Sequence, residues 1–165
     1  MIFSNSLEYE KITSNLDKKN DIITIIGCNT CIRVSGAGGP DKMKELAMKL
    51  KHDGYNVKDG FMLPITCMEP YLFTVKLKPE VNTIVSLACT AGTSNIKRNF
   101  PDYKIVETVD NIGLIIADTN KGVLKIAMPY KKHESKLGAE YPLGSDGKNR
   151  MSKEQIPVKV ELKTL

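Results

Sequence analysis

The chain lacks any apolar run near the roughly 20 residues that span a bilayer, so no membrane span is expected. Residues 1–10 carry acids and no long apolar core. No secretory signal is therefore expected, and the expected location is cytoplasmic. A charge excess is also missing over most of the length. Residues 1–120 hold 14 basic and 14 acidic side chains. The net +5 arises in residues 121–165, with 10 basic against 5 acidic. A neutral body argues against a basic nucleic-acid-binding face and leaves a basic arm suited to an acidic partner. No Ser–His–Asp set or acid–base dyad is evident, and Glu107, Asp110 and Asp118 read as solvated turn acids. No catalytic residue is nominated. Internal repeats and low-complexity tracts are absent. What remains is a 165-residue chain with 41% apolar residues, the profile of one ordinary globular domain.

The apolar patterning predicts an α/β fold, a three-layer arrangement around a mostly parallel sheet, with a C-terminal hairpin and an extended arm. Residues 1–20 read as an N-terminal helical extension with Ser6 as N-cap. Residues 21–128 read as the α/β body and 129–165 as the basic arm. Four isoleucines among residues 22–26 predict a strand buried on both faces, and residues 83–88 repeat the pattern. Met43, Leu46, Ala47 and Leu50 form one stripe of a helix over 40–52, opened by Pro40 and stopped by Gly54. Shorter strands are expected at 56–58, 61–66 and 104–108, and short helices at 70–78 and 93–100. Residues 113–117 and 123–127 flank a five-residue turn that ends in Gly122, a hairpin signal. Alternation over 157–165 predicts an edge strand.

Four cysteines follow the pattern Cys28-x2-Cys31-x35-Cys67-x21-Cys89. The first, third and fourth each close an expected strand. Parallel neighbours would bring all three to one sheet rim, where functional loops collect. A C-x2-C pair holds two thiolates on one tight loop, and the two single cysteines complete a four-ligand set with none left over. The competing readings are small apolar core residues, disulfides, or a redox pair. Polar Asn29 and Thr30 disfavour the first for Cys28 and Cys31. The absence of a secretory signal disfavours the second. The third expects the pair to open a helix, and here glycines intervene. Structural zinc sites commonly use two paired motifs, whereas three separate segments suit a [4Fe-4S] cluster over a sheet rim. Zn bound by four thiolates remains the alternative. His52, at a helix end, and His133, in the basic arm, are poor ligands.

The loop at 35–39 lacks the dinucleotide fingerprint, because Asp41 stands where the third glycine belongs. Gly36, Gly38 and Gly39 instead read as a loop whose N–H groups approach an anionic cluster. Thr90 and Gly92, after Cys89, read the same way. Ordinary strand-to-helix turns are the plain alternative for both loops.

The segment GCNTCIRVSGAGG at 27–39, followed by KMKELA at 42–47, resembles the cysteine-rich C-terminal-type domain of methylenetetrahydrofolate reductase. This domain also occurs as the small partner subunit of the reductase in anaerobes. IVSLACTAG at 84–92, then Phe100-Pro101-Asp102, resembles the family's second block. Cys67 falls at the family's lone cysteine between the blocks, while Ser35 stands where many members carry a further one. The resemblance covers about residues 20–120. It implies a non-catalytic subunit with an iron–sulfur cluster, or zinc, held by Cys28, Cys31, Cys67 and Cys89. Such a subunit exchanges electrons with a flavin-containing reductase subunit in one-carbon metabolism. A zinc-stabilised interaction module and an accessory subunit of a corrinoid methyl-transfer complex are the alternatives.

Overall fold

The structure is a computed structural model that describes residues 1–143 and the backbone of 158–160. Its centre is built from the isoleucine run. β2 (Ile22–Cys28) pairs in parallel with β3 (Asn56–Leu63) on one side and β4 (Thr83–Leu87) on the other. β5 (Lys104–Glu107) extends the sheet beyond β4. β9 (Val158–Val160) runs antiparallel along the outer edge of β3, giving the order β5-β4-β2-β3-β9. The edge strand expected at 157–165 is thus seen at 158–160. Its remaining residues, and 144–157 of the arm, lie outside the described residues.

A strand buried on both faces needs a helical layer on each. Ile23, Ile25 and Val85 pack against Met43, Ala47 and Leu50 of α3 (Pro40–His52). Ile26 and Ile84 pack on the other face against Leu72 of α4 (Glu69–Leu72) and Ile96 of α5 (Thr90–Asn99). Each of these isoleucines is fully buried, a gain of about 1.5–3 kcal/mol apiece. α3 keeps the expected bounds, with Pro40 in its first turn and Gly54 at φ +88° just beyond its end.

The expectation of one mostly parallel three-layer sheet fails beyond β5. Only Thr108 separates β5 from β6 (Val109–Asp118). A parallel neighbour needs a crossover of a dozen or more residues, so β6 leaves the sheet. It starts a second, antiparallel sheet in the order β1-β6-β7-β8. The expected hairpin forms there, between β6 and β7 (Val123–Pro129), and β8 (Glu140–Pro142) pairs with β7. The fourth strand comes from the other end of the chain. β1 (Ile2–Ser6) pairs with β6, and the helix α1 covers only Tyr9–Thr13. The helical reading of residues 1–20 thus gives way to tertiary pairing, with Phe3 stacked on Tyr141 at 4.4 Å. Phe3, Ile112, Ile115, Leu124 and Ile126 form the core of this second sheet, packed with Val34.

Two local expectations also change. The segments at 56–58 and 61–66 are one strand, with an irregularity of register at Lys58. That strand stops at Leu63, before Pro64, which has no N–H to offer the ladder. Cys31 does open a helix, the single turn α2 (Cys31–Val34), before the glycine loop.

Candidate functional site

The parallel sheet has a switch point between β2 and β4. From β2 the chain crosses through α2 and α3 to β3. From β4 it crosses through α5 to β5, on the other side and over the other face. Adjacent connections that leave in opposite directions open a crevice at the carboxyl ends of the strands. The cysteines stand around this crevice. Cys28 is the last residue of β2 and is buried. Cys31, half-buried, is the first residue of α2. Cys89, buried, immediately precedes α5. Cys67 lies four residues past β3 rather than at a strand end, and it is exposed.

Short polar bonds hold the crevice walls together. The Thr30 hydroxyl donates to the Pro64 carbonyl at 2.5 Å, and the Asn29 N–H to the Leu63 carbonyl at 2.8 Å. The Thr66 hydroxyl donates to the Gly27 carbonyl at 3.2 Å, while the Asn95 amide donates to the Thr66 carbonyl at 3.0 Å. The segment carrying Cys67 is therefore tied to both β2 and α5. Gly92 permits this approach, since a Cβ there would lie 2.9 Å from the Ala88 Cβ and 3.2 Å from the Thr66 Cβ.

The thiols share one electrostatic environment. Cys89 donates its S–H to Cys31, which pulls the Cys31 thiol down to about 6 against the effect of burial. The Ile2 N–H also donates to the Cys31 sulfur. Cys89 moves strongly the other way, because it supplies that proton, is buried, and faces Cys31 and Cys28; only the Gly92 N–H opposes this. Burial raises Cys67, and the charges of Cys28 and Cys31 add to it. The Cys28 sulfur also faces the Pro64 carbonyl at 4.0 Å. Cys28, Cys31 and Cys89 thus stand around one rim, and Cys67 comes within electrostatic reach of Cys28 and Cys31.

The glycines divide. Gly92 reaches a sulfur, as expected of the second loop, whereas the Thr90 N–H is taken by Asn111 Oδ1 at 2.8 Å. In the first loop the Gly36 N–H bonds to the Arg33 carbonyl, a Cβ at Gly38 would run into Ile32, and Gly39, at φ +93°, begins α3. These three residues serve the turn from α2 into α3.

Sequence reasoning missed the contribution of the antiparallel sheet. Its edge strand β1 supplies the Ile2 N–H. Asn111 of β6 accepts from both Thr90 N–H and the Ser4 hydroxyl, the latter at 3.0 Å. Burial raises the Tyr130 phenol, and an electrostatic contribution from Cys89 adds to this, so the ring lies within electrostatic reach of that thiol. Nothing in the spacing of Ile2, Asn111 or Tyr130 marks them, because long-range pairing alone brings them here.

No family model, curated protein or solved structure matches the chain.

The donor set suits a soft, thiolate-seeking metal. One zinc ion with Zn–S bonds of about 2.3 Å would draw four sulfurs to about 3.8 Å of one another. Among the described residues, no three His, Cys, Asp or Glu side chains stand in position to hold a single ion. The fit therefore rests on shared rim position, electrostatic coupling and N–H donors aimed at sulfur. Among the described residues no helix is long and apolar enough to cross a membrane.

Proposed function

We propose that this protein is a non-catalytic iron–sulfur subunit that passes electrons to or from a flavin-bearing reductase of the methylenetetrahydrofolate reductase type. The observation that supports the reading is the placement of Cys28, Cys31 and Cys89 around the switch-point crevice, with Cys67 in electrostatic reach of Cys28 and Cys31. A [4Fe-4S] group bound there would supply one-electron storage. The chain's own part is to hold four thiolates and tune them. The Gly92 and Ile2 N–H groups donate to sulfur, which favours the more negative, reduced state. Cys28 and Cys89 would hold the group from buried positions, and Cys67 from an exposed one. The role in one-carbon metabolism rests on the resemblance of residues 27–47 and 84–102 to that family.

The test is anaerobic purification or reconstitution followed by iron and sulfide analysis, with EPR of the dithionite-reduced protein. About four irons and four sulfides per chain with a reducible EPR signal are expected of a cubane. A colourless protein carrying one zinc on four thiolates would replace this reading with that of a zinc-stabilised interaction module.

A further inference from the structure

The two outer strands of the parallel sheet guard their edges differently. An open strand edge presents unpaired N–H and C=O groups to any other chain. Natural sheets blunt such edges with short strands, charges, inward-pointing charges or a covering segment. β5 uses the first two. It is four residues long, with exposed Lys104 and Glu107 at its ends. Leu7, Lys11 and Asn15 line a groove beside it.

β3 is eight residues long. Its first half, residues 56–59, carries Lys58 and the buried Asp59. Asp59 points into the protein, where it accepts from the Thr24 hydroxyl at 2.6 Å and faces Lys78 Nζ at 3.6 Å. A strand arriving there would meet a lysine and an inward carboxylate. The second half, residues 60–63, has no charge, and Phe61, Met62 and Leu63 follow one another up to Pro64. β9 lies where the charges stop. It pairs Val160 with Gly60, Lys159 with Phe61 and Val158 with Met62. Beyond these pairs the Leu63 carbonyl accepts from the Asn29 N–H, and Pro64 has no N–H to offer. The covered stretch is thus the part of β3 that has no other protection.

Fourteen residues, 144–157, separate Leu143 from β9. A strand tethered by that length of its own chain meets β3 at a high effective concentration, and a strand from another molecule must compete with it. Two uncovered β3 edges would have no such competitor. Their uncharged halves are identical and can pair antiparallel about a two-fold axis without opposing charge.

We infer that β9 is an intramolecular cover for the β3 edge, and that a chain whose β9 cannot pair associates with further copies of itself through residues 60–63. The inference does not depend on what the cysteines bind.

The test uses the full chain under reductant, as wild type, Lys159→Pro and Val158→Pro/Val160→Pro. Successive residues of a strand turn their N–H groups to opposite sides, so one of the two variants removes N–H groups bonded to β3. Amide hydrogen exchange reads the edge, and sedimentation over a concentration series reads association. Wild type should be a monomer in which the amides of residues 60–62 that face away from β2 are protected. In the disrupting variant these amides should exchange at least about tenfold faster, while β2 and β4 keep wild-type protection. That variant should also form dimers or larger species as its concentration rises. Equal exchange at 60–62 in wild type and both variants would overturn the cover. Fast exchange in a variant that stays monomeric at every concentration would overturn the guarded association. A wild-type dimer that dissociates in the variant would overturn the intramolecular pairing and assign β9 to the β3 edge of a second copy.

Discussion

The two sheets bury their residues in opposite styles. The parallel sheet is covered by helices on both faces, and in β2 Ile23, Ile25 and Ile26 are all fully buried. The antiparallel sheet covers one face only, and in β6 buried Ile115 stands between exposed Leu114 and Ile116. In the first case the sequence signal is a continuous apolar run, in the second a period of two. The difference also separates roles. A sheet closed on both faces has little to offer a ligand except its rim, and there the cysteines stand. A sheet open on one face offers that face, and there Leu114 and Ile116 stand exposed.

The largest contrast should appear between cysteines on the rim itself. Cys89 is buried, bonded to Cys31 and fixed at the start of α5, whereas Cys67 is exposed on a loop. Cys28→Ser and Cys89→Ser should each lose the metal almost completely and lower the melting temperature of the loaded protein, because ligand binding energy is partly folding energy. Cys67→Ser should also lower metal content but leave the melting of the metal-free protein at its wild-type value. Anaerobic metal analysis and thermal melts of loaded and stripped protein check this. Wild-type metal content in Cys28→Ser and Cys89→Ser would remove both from the ligand set.

Much of the parallel half is legible in the sequence, for a physical reason. Its elements are local: the run at 22–26, the stripe of Met43, Ala47 and Leu50, and the caps around α3 need no distant partner to be recognised. The rim position of the cysteines followed from the same local pattern, although Cys67 sits beyond Pro64 rather than at a strand end. The antiparallel half was legible only as its hairpin. The strand β1 is short and polar in part, Ile-Phe-Ser-Asn-Ser, and becomes a strand because β6 is there to pair with it. The second sheet was hidden in a single residue: Thr108 gives no room for a crossover, a constraint of connection length rather than of residue type. The glycine loop at 36–39 shows the converse, where a suggestive composition also serves a helix-to-helix turn.

A mid-sized effect should come from the link between the halves. Asn111 Oδ1 accepts from the Thr90 N–H beside Cys89 and from the Ser4 hydroxyl in the opposing strand. Ser4 is fully buried. Asn111→Ala should cost about 1–3 kcal/mol, since it leaves donors without a partner. Ser4→Ala should cost less, because it removes a donor and leaves Asn111 bonded to Thr90. Urea denaturation of both single variants and the double variant measures the coupling. Strict additivity would mean that Asn111 does not join the two bonds into one connection.

The smallest effect should be the pH response of the antiparallel half alone. Burial pushes the Asp110 carboxyl up, but the Lys132 hydrogen bond and charge, with His133, outweigh it and the net shift is downward. His133 Nε2 lies 3.1 Å from Asp110 Oδ2, within ion-pair reach but without hydrogen-bond geometry. These contacts fasten the turn over residues 131–136 to β6. A carboxyl whose folded value is depressed contributes stability above its unfolded value of about 3.9, and the contribution disappears as pH falls through the lower folded value. Lys132 is two-thirds exposed, so solvent screening holds the contribution below about 1 kcal/mol. Asp110→Asn should therefore be slightly less stable than wild type at pH 7, and the gap should close as pH falls through the depressed folded value. Denaturant midpoints at pH 7, 4 and 3 read the convergence. A gap that does not narrow at all as pH falls from 7 through the acid range would show that the asparagine disturbs packing rather than charge.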